Sequence, residues 1–147
     1  MISFDEIVLD NNIPIYQQIL MHIKHGIISG TIKDKDELPS RRTLSSLLGV
    51  NPNTIQKAYH ILEEEDLIES HAGSKSYMKL NEEKILKIRE KLMSDILNNI
   101  ISTLKRMGLS KEESLELISQ NWNKNTEGDL YDEIFLNIRI DRKGLIF

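Results

Sequence analysis

Residues 38–59 read LPSRRTLSSLLGVNPNTIQKAY, and the reading of this stretch decides the fold. Ser40 is placed as the N-cap of a short helix whose inward face is Leu44, Leu47 and Leu48. Gly49 ends that helix, and Val50-Asn51-Pro52-Asn53 forms a turn. Asn53 or Asn51 then caps a longer helix from Thr54 to Glu65, with Ile55, Ala58, Tyr59 and Leu62 on its apolar side. A short helix, a tight turn with a glycine and a longer helix make the geometry of a helix-turn-helix.

Working outward, residues 14–29, PIYQQILMHIKHGIIS, predict a helix. Pro14 suits its first turn, where a missing N–H is harmless, and Ile15, Ile19, Ile23 and Ile27 repeat at helical spacing, with Leu20 and Ile28 beside them. Gly30 stops it. TIKDKDELP is a polar loop with one extended pair. After Asp66 the pattern shifts to two short extended runs, Leu67–Ser70 and Ser76–Leu80. They flank His71 to Lys75, a segment of hairpin-tip length and composition.

Asn81 caps a long helix, and Glu82 and Glu83 at its start and Lys105 and Arg106 at its end match the helix dipole. Ile85, Ile88, Leu92, Ile96, Ile100 and Leu104 form an apolar stripe, with Leu97 and Ile101 alongside. A face this long, beyond a complete small domain, predicts a seam with a second copy of the chain. The simpler reading docks it onto its own winged helix. Gly108 ends the helix, and Ser110 with Glu113 makes a capping box for a short helix through Leu115, Ile118 and Trp122. Trp122 is expected to anchor that helix on its neighbour. The fold class is therefore mainly α with a small β-hairpin: a winged helix-turn-helix over residues 1–80, a helical dimerisation appendage over 81–122, and a tail of uncertain structure over 123–147.

Composition narrows the chemistry. The chain has 147 residues, 39% hydrophobic and 29% charged, as suits a globular protein. It has no cysteine, which excludes disulfides, cysteine-ligated zinc and cysteine nucleophiles. The start, MISFDEIVLD, lacks the basic residues of a signal peptide, and no apolar run reaches a membrane span, so a cytoplasmic location is expected. No nucleophile–base–acid set, phosphate loop or spaced carboxylate pair points to catalysis, and no cofactor is expected. His22 and His25 have metal-ligand spacing but no clear third ligand, so a surface pair is the better reading and no metal is expected.

The net charge is −4, from 19 basic and 23 acidic side chains. A DNA-binding protein needs a basic face, not a basic total. The second helix of a helix-turn-helix lies in the major groove, its N-terminal residues at base edges. Here those residues are Asn51, Asn53, Thr54, Gln56 and Lys57. Asn and Gln can pair bidentately with adenine, Thr can meet a thymine methyl, and Lys can take guanine or phosphate. Arg41 and Arg42 open the preceding helix, where an arginine adds to the phosphate affinity of a helix start. Arg41 could equally be a solvated residue, whereas for Arg42 the contact with DNA is the better reading. The hairpin tip, His71, Ala72, Gly73 and Lys75, forms a wing suited to a minor-groove or phosphate contact. The run Glu63-Glu64-Glu65-Asp66 is expected to be a solvated helix end held away from DNA.

Residues 14–79 resemble the winged-helix domain of the GntR family of bacterial transcriptional regulators. PIYQQI, the ISG helix end, LPSRRTLSSLLGVNPNT, KAYHILEEEDLIES and AGSKSYM carry the resemblance. It implies DNA contacts from Arg42, Asn51, Asn53, Thr54, Gln56 and the wing around Ala72 and Gly73. Four positions depart from the family pattern. Pro52 and Gln56 stand where many relatives are basic, which implies a leaning toward A·T-containing half-sites. Asp66 replaces a usual glycine and Lys75 a second wing glycine. The short helical extension resembles the YtrA subfamily, implying a homodimeric repressor of a transporter-type operon on an inverted-repeat operator. Two other readings stand beside it: a protein-interaction module that uses the long helix, and a switch responding to an unidentified small ligand.

Overall fold

The computed structural model describes residues 1–71, 73 and 75–124. The elements they form are α1 (Ile15–Ser29), β1 (Glu37–Leu38), α2 (Arg41–Leu48), α3 (Pro52–Glu64), β2 (Ile68–His71), β3 (Lys75–Met78), α4 (Glu82–Arg106) and α5 (Lys111–Asn121). The mainly α class with a small β-hairpin holds. The hairpin gains a third strand, because the extended pair in the polar loop is β1. The sheet order is β1-β3-β2, antiparallel throughout, with Leu38 opposite Ser76 and Ser70 also opposite Ser76.

The core forms where the apolar faces of α1 and α3 meet. Ile19, Ile23 and Ile27 of α1 and Ile55, Ala58, Tyr59 and Leu62 of α3 are all at most 2% exposed, joined by Leu44, Leu38, Ile68 and Met78. Sequence periodicity placed every one of these α1 and α3 residues, because a 3.6-residue repeat permits only one inward stripe. It missed Ile2 and Phe4, which are also buried. Their alternate spacing was the available signal. The segment they belong to is held by three bonds of the Gln18 side chain, to the Asp10 amide, the Asp10 carbonyl and the Ile13 carbonyl. His22 fixes it too, with Nε2 2.8 Å from the Ser3 carbonyl and its ring against Phe4. Beside it, burial, then the neighbouring His22, push the His25 pKa down.

Two helix faces depart from expectation. Leu47 is 54% exposed, and Ser45 takes the inward place, its hydroxyl donating to the Val50 carbonyl across the turn. That bond closes the turn that Gly49 enters with φ +64°, a conformation glycine adopts without strain. Trp122 is 75% exposed and anchors no neighbour in the described residues. Asp66, in place of the usual glycine, does take the left-handed conformation at φ +57°, which short polar side chains tolerate. Lys79 and Lys84 both pair with its carboxylate.

The chain divides into two compact units, Met1–Glu90 and a second beginning at Lys91. The first takes in the opening turns of α4, since Ile85 and Ile88 pack on the winged-helix core. Asn81 caps α4 through the Lys84 amide, and the Ser110–Glu113 capping box starts α5 as expected. The final segment, residues 125–147, lies outside the described residues. Among the described residues no helix is long and apolar enough to cross a membrane.

Tyr59 ties α3 to the entry of α2: its ring is fully buried, and its hydroxyl donates to the Pro39 carbonyl at 2.6 Å. Tyr59→Phe keeps the ring but strands that buried carbonyl, so urea unfolding should show a loss of about 1–2 kcal/mol. An unchanged midpoint would mean the bond adds nothing.

Candidate nucleic-acid interface

The first half of α3 separates its two sides cleanly. Asn53, Gln56 and Lys57 are exposed and Thr54 is half-buried, while Ile55, Ala58 and Tyr59 are sealed in the core. Asn51, rather than Asn53, is the cap: its Oδ1 accepts from the Asn53 amide at 2.8 Å, and Pro52 occupies the first helical position. A bidentate pairing with adenine uses both the oxygen and the nitrogen of an amide. Capping engages that oxygen in Asn51, which leaves Asn53 and Gln56 as the amides of this segment without a side-chain hydrogen bond among the described residues.

The two arginines part company. Arg41 lies against the protein, with its guanidinium 5.1 Å from the centroid of the Tyr59 ring and its Nη2 donating to Glu63 Oε1 at 3.1 Å. Its Nε is buried without a hydrogen-bond partner. Arg42, about 100° further round the helix, is exposed and has no carboxylate partner among the described residues. Lys57 is likewise free of carboxylates, its ammonium resting 4.0 Å above the Tyr16 ring. That cation–π contact sets the position of the charge without neutralising it.

The arrangement of α1 explains the contact. Tyr16 meets Lys57 near the helix starts, and Lys24 meets Glu65 near their ends. The two helices therefore run parallel, and the first turn of α1 lies beside the first half of α3. No acidic residue occupies the first turn of α1, α2 or α3.

The acidic run at the other end of α3 is not simply solvated, as expected from sequence. Glu63 pairs with Arg41, Glu64 with His60, Glu65 with Lys24, and Asp66 with Lys79 and Lys84. Carboxylates at a helix C-terminus oppose its dipole, so the lysines and Arg41 around them offset that repulsion. Hydrogen bonds from Lys79 and Lys84 hold the Asp66 carboxyl below its ordinary pKa. An acidic protein thus keeps its negative charge compensated at one end of α3 and leaves Arg42 and Lys57 unneutralised elsewhere in the same unit.

The wing closes with His71 opposite Lys75, and Gly73 stands between them at φ +83°. Ala72 lies outside the described residues. Both flanking residues are exposed. His71 Nε2 is 3.0 Å from Glu69, and Lys75 Nζ is 3.9 Å from Glu37, at the edge of an ion pair. Such exposed pairs are weak and exchange readily for another anion.

Of the stripe read as a seam, Ile85 and Ile88 are half-buried and pack against the winged-helix core. Leu92, Ile96 and Leu104 are half-buried and Ile100 is exposed. More open are apolar residues one step around α4, at Leu86, Met93, Leu97 and Ile101, and α5 also exposes Leu115, Leu117 and Ile118.

A helix-turn-helix with an exposed polar recognition face, unneutralised cations and a β-wing defines a winged-helix DNA-binding protein. The family described as bacterial regulatory proteins, gntR family, matches residues 15–78. The chain is 33% identical over 103 residues to the HTH-type transcriptional regulator YhcF of Bacillus subtilis (strain 168), spanning 70% of this chain and 85% of that protein. It is 38% identical over 91 residues to the HTH-type transcriptional repressor YtrA of the same organism, spanning 58% of this chain and 70% of that one. A solved GntR family transcriptional regulator from Listeria monocytogenes superposes with a TM-score of 0.68 at 33% identity, covering 76% of this chain and 98% of that chain. The chain belongs to the GntR family of bacterial transcriptional regulators, and the repressor YtrA is among its relatives. It is a DNA-binding regulator and not an enzyme.

Arg41 is expected to behave as a packing residue. Arg41→Ala should lower stability by about 1 kcal/mol through lost stacking and the lost Glu63 pair, with the salt dependence of DNA binding unchanged. A shallower salt dependence would show that Arg41 does reach phosphate.

Proposed function

We propose that this chain is a homodimeric, sequence-specific DNA-binding regulator that represses a transporter-type operon, with one recognition helix of each protomer in a major groove of an inverted-repeat operator. The observation that carries the DNA reading is the exposed set Asn53, Gln56 and Lys57, with the half-buried Thr54 among them, at the acid-free start of α3, beside the unneutralised Arg42. In this reading Arg42 and Lys57 take phosphate, Asn53 and Gln56 read bases, Asn51 holds the helix start, and Thr54 and the wing residues His71, Ala72, Gly73 and Lys75 complete the contact. Repression is supported by the name of the YtrA relative, and the operon type by resemblance to its subfamily. The cell interior is the compartment that this role requires.

Dimerisation is supported by the apolar residues beyond the winged helix. Leu97 is 56% exposed, Ile101 47% and Leu115 57%, a concentration that a soluble monomer rarely leaves uncovered. The seam then comprises Leu92, Ile96, Ile100 and Leu104 widened by Leu97 and Ile101. A two-fold dimer also matches the symmetry of an inverted repeat.

Two experiments test the proposal. In gel shifts with DNA from the chain's own promoter region, Arg42→Ala should weaken binding to all sequences and reduce the salt slope by about one. Asn53→Ala or Gln56→Ala should instead change the preference among sites, by about 1–3 kcal/mol at one base pair. Unaltered affinity and preference in all three would sink the DNA assignment and favour a protein-interaction module. Sedimentation should find a dimer, and a Leu97→Glu, Ile101→Glu double variant a folded monomer with operator affinity reduced about tenfold or more. A double variant that remains dimeric would place the seam elsewhere.

A further inference from the structure

One carboxylate of the acidic run has partners on two other elements. Glu63 Oε1 accepts from Arg41 Nη2 at 3.1 Å and from Ser70 Oγ at 2.6 Å. Ser70 Oγ in turn lies 3.2 Å from the hydroxyl of Ser76, its register partner on β3. Because the Ser70 proton goes to the carboxylate, the Ser76 hydroxyl is the donor in that second bond. A single oxygen therefore joins the start of α2, the last turn of α3 and both strands of the hairpin.

Position makes this tie consequential. The base of the hairpin is held by Ile68 and Met78, both sunk in the core. Toward the tip, Glu69, Ser70 and His71 are exposed, and apolar burial no longer restrains β2. Among the described residues, Ser70–Glu63 is the side-chain hydrogen bond between hairpin and helices that lies nearest the tip. Its carboxylate is only 34% exposed and the serine bond is charge-assisted, so it is shorter and stronger than a neutral pair. Ser76 is 1% exposed, and a hydroxyl buried there has to find a partner, which the same chain supplies.

We propose that Glu63 is a positioning residue for DNA binding: through Ser70 and Ser76 it sets the angle of the wing against the recognition helix, without touching DNA itself. An acidic residue in the last turn of α3 thus acts as a brace. Arg41 is the second arm, fixing the Glu63 carboxylate in the rotamer that meets Ser70. The proposal rests on the reading that wing and α3 contact the same duplex.

The test is a set of double-mutant cycles on the full chain, with affinity read by anisotropy on a duplex enriched by the chain from a random-sequence library. Glu63→Gln keeps the side-chain shape and Ser70→Ala removes only an exposed hydroxyl, so both should fold, and urea unfolding verifies it. Each should weaken binding about three- to tenfold, the scale of one lost charge-assisted bond. Combined with Lys75→Ala at the wing, the losses should fall well short of multiplying, because a misplaced wing has little contact left to lose. Combined with Gln56→Ala on α3 they should multiply. Hydrogen exchange should quicken in β2 and β3 but not in α1. Full multiplication with Lys75→Ala, or unchanged affinity in both single variants, overturns the role of Glu63 and leaves the wing reading standing. A Lys75→Ala protein that binds like the parent removes the wing contact itself, and this proposal with it.

Discussion

The fold turns on the demand that α3 be sealed on one side and open on the other within a few residues. Tyr59 sits at the centre of that demand. Its ring fills the core, its hydroxyl holds the Pro39 carbonyl where the chain enters α2, and the Arg41 guanidinium lies over its face. Burial raises its pKa, so the phenol stays neutral and remains a donor. With α2 fixed by that bond and α1 packed parallel alongside, the side of α3 that carries Asn53 and Gln56 is left facing water. The polarity of the recognition surface follows from how completely the opposite face is buried.

Charge is organised along the same helix. Every carboxylate from Glu63 to Asp66 has a basic group within ion-pair distance, supplied by α1, α2, α3 itself, α4 and the residue after β3. Most are exposed and individually weak. Their combined effect is on the field: the acidic end is screened at short range, and Arg42 and Lys57 remain as unneutralised charge. This resolves how a chain of net charge −4 belongs to a DNA-binding family. Net charge averages over the whole surface, whereas a phosphate senses the groups within about 10 Å of it at moderate salt.

The architecture was largely legible before any coordinates, because each element carries local signals that agree with one another. Ser40, Gly49, Asn51, Asn81 and the Ser110–Glu113 box mark helix ends through bonds to nearby backbone groups, and such bonds depend on short-range sequence alone. The inward faces of α1 and α3 follow from one periodicity. The failures share a cause. Leu47 lies on α2 and Trp122 at the end of α5, helices whose apolar residues span more than one face. Which face turns inward there depends on what stands opposite. The strand β1 was only a possible extended pair, since two residues form a strand when a partner such as β3 is already present.

Sequence by itself determined the helix boundaries, the helix-turn-helix, the hairpin and the family, since these are set by capping, periodicity and turn chemistry within a few residues. Tertiary structure alone decided which basic residues are paired within the chain. Arg41 and Arg42 are adjacent and chemically identical, yet one is stacked on Tyr59 and paired with Glu63 while the other is exposed. The helical rotation between them sends the first toward a carboxylate 22 residues away and the second toward solvent. Ion pairing across such a separation exists only after the helices have packed, which is why adjacent letters in the chain end in different surroundings.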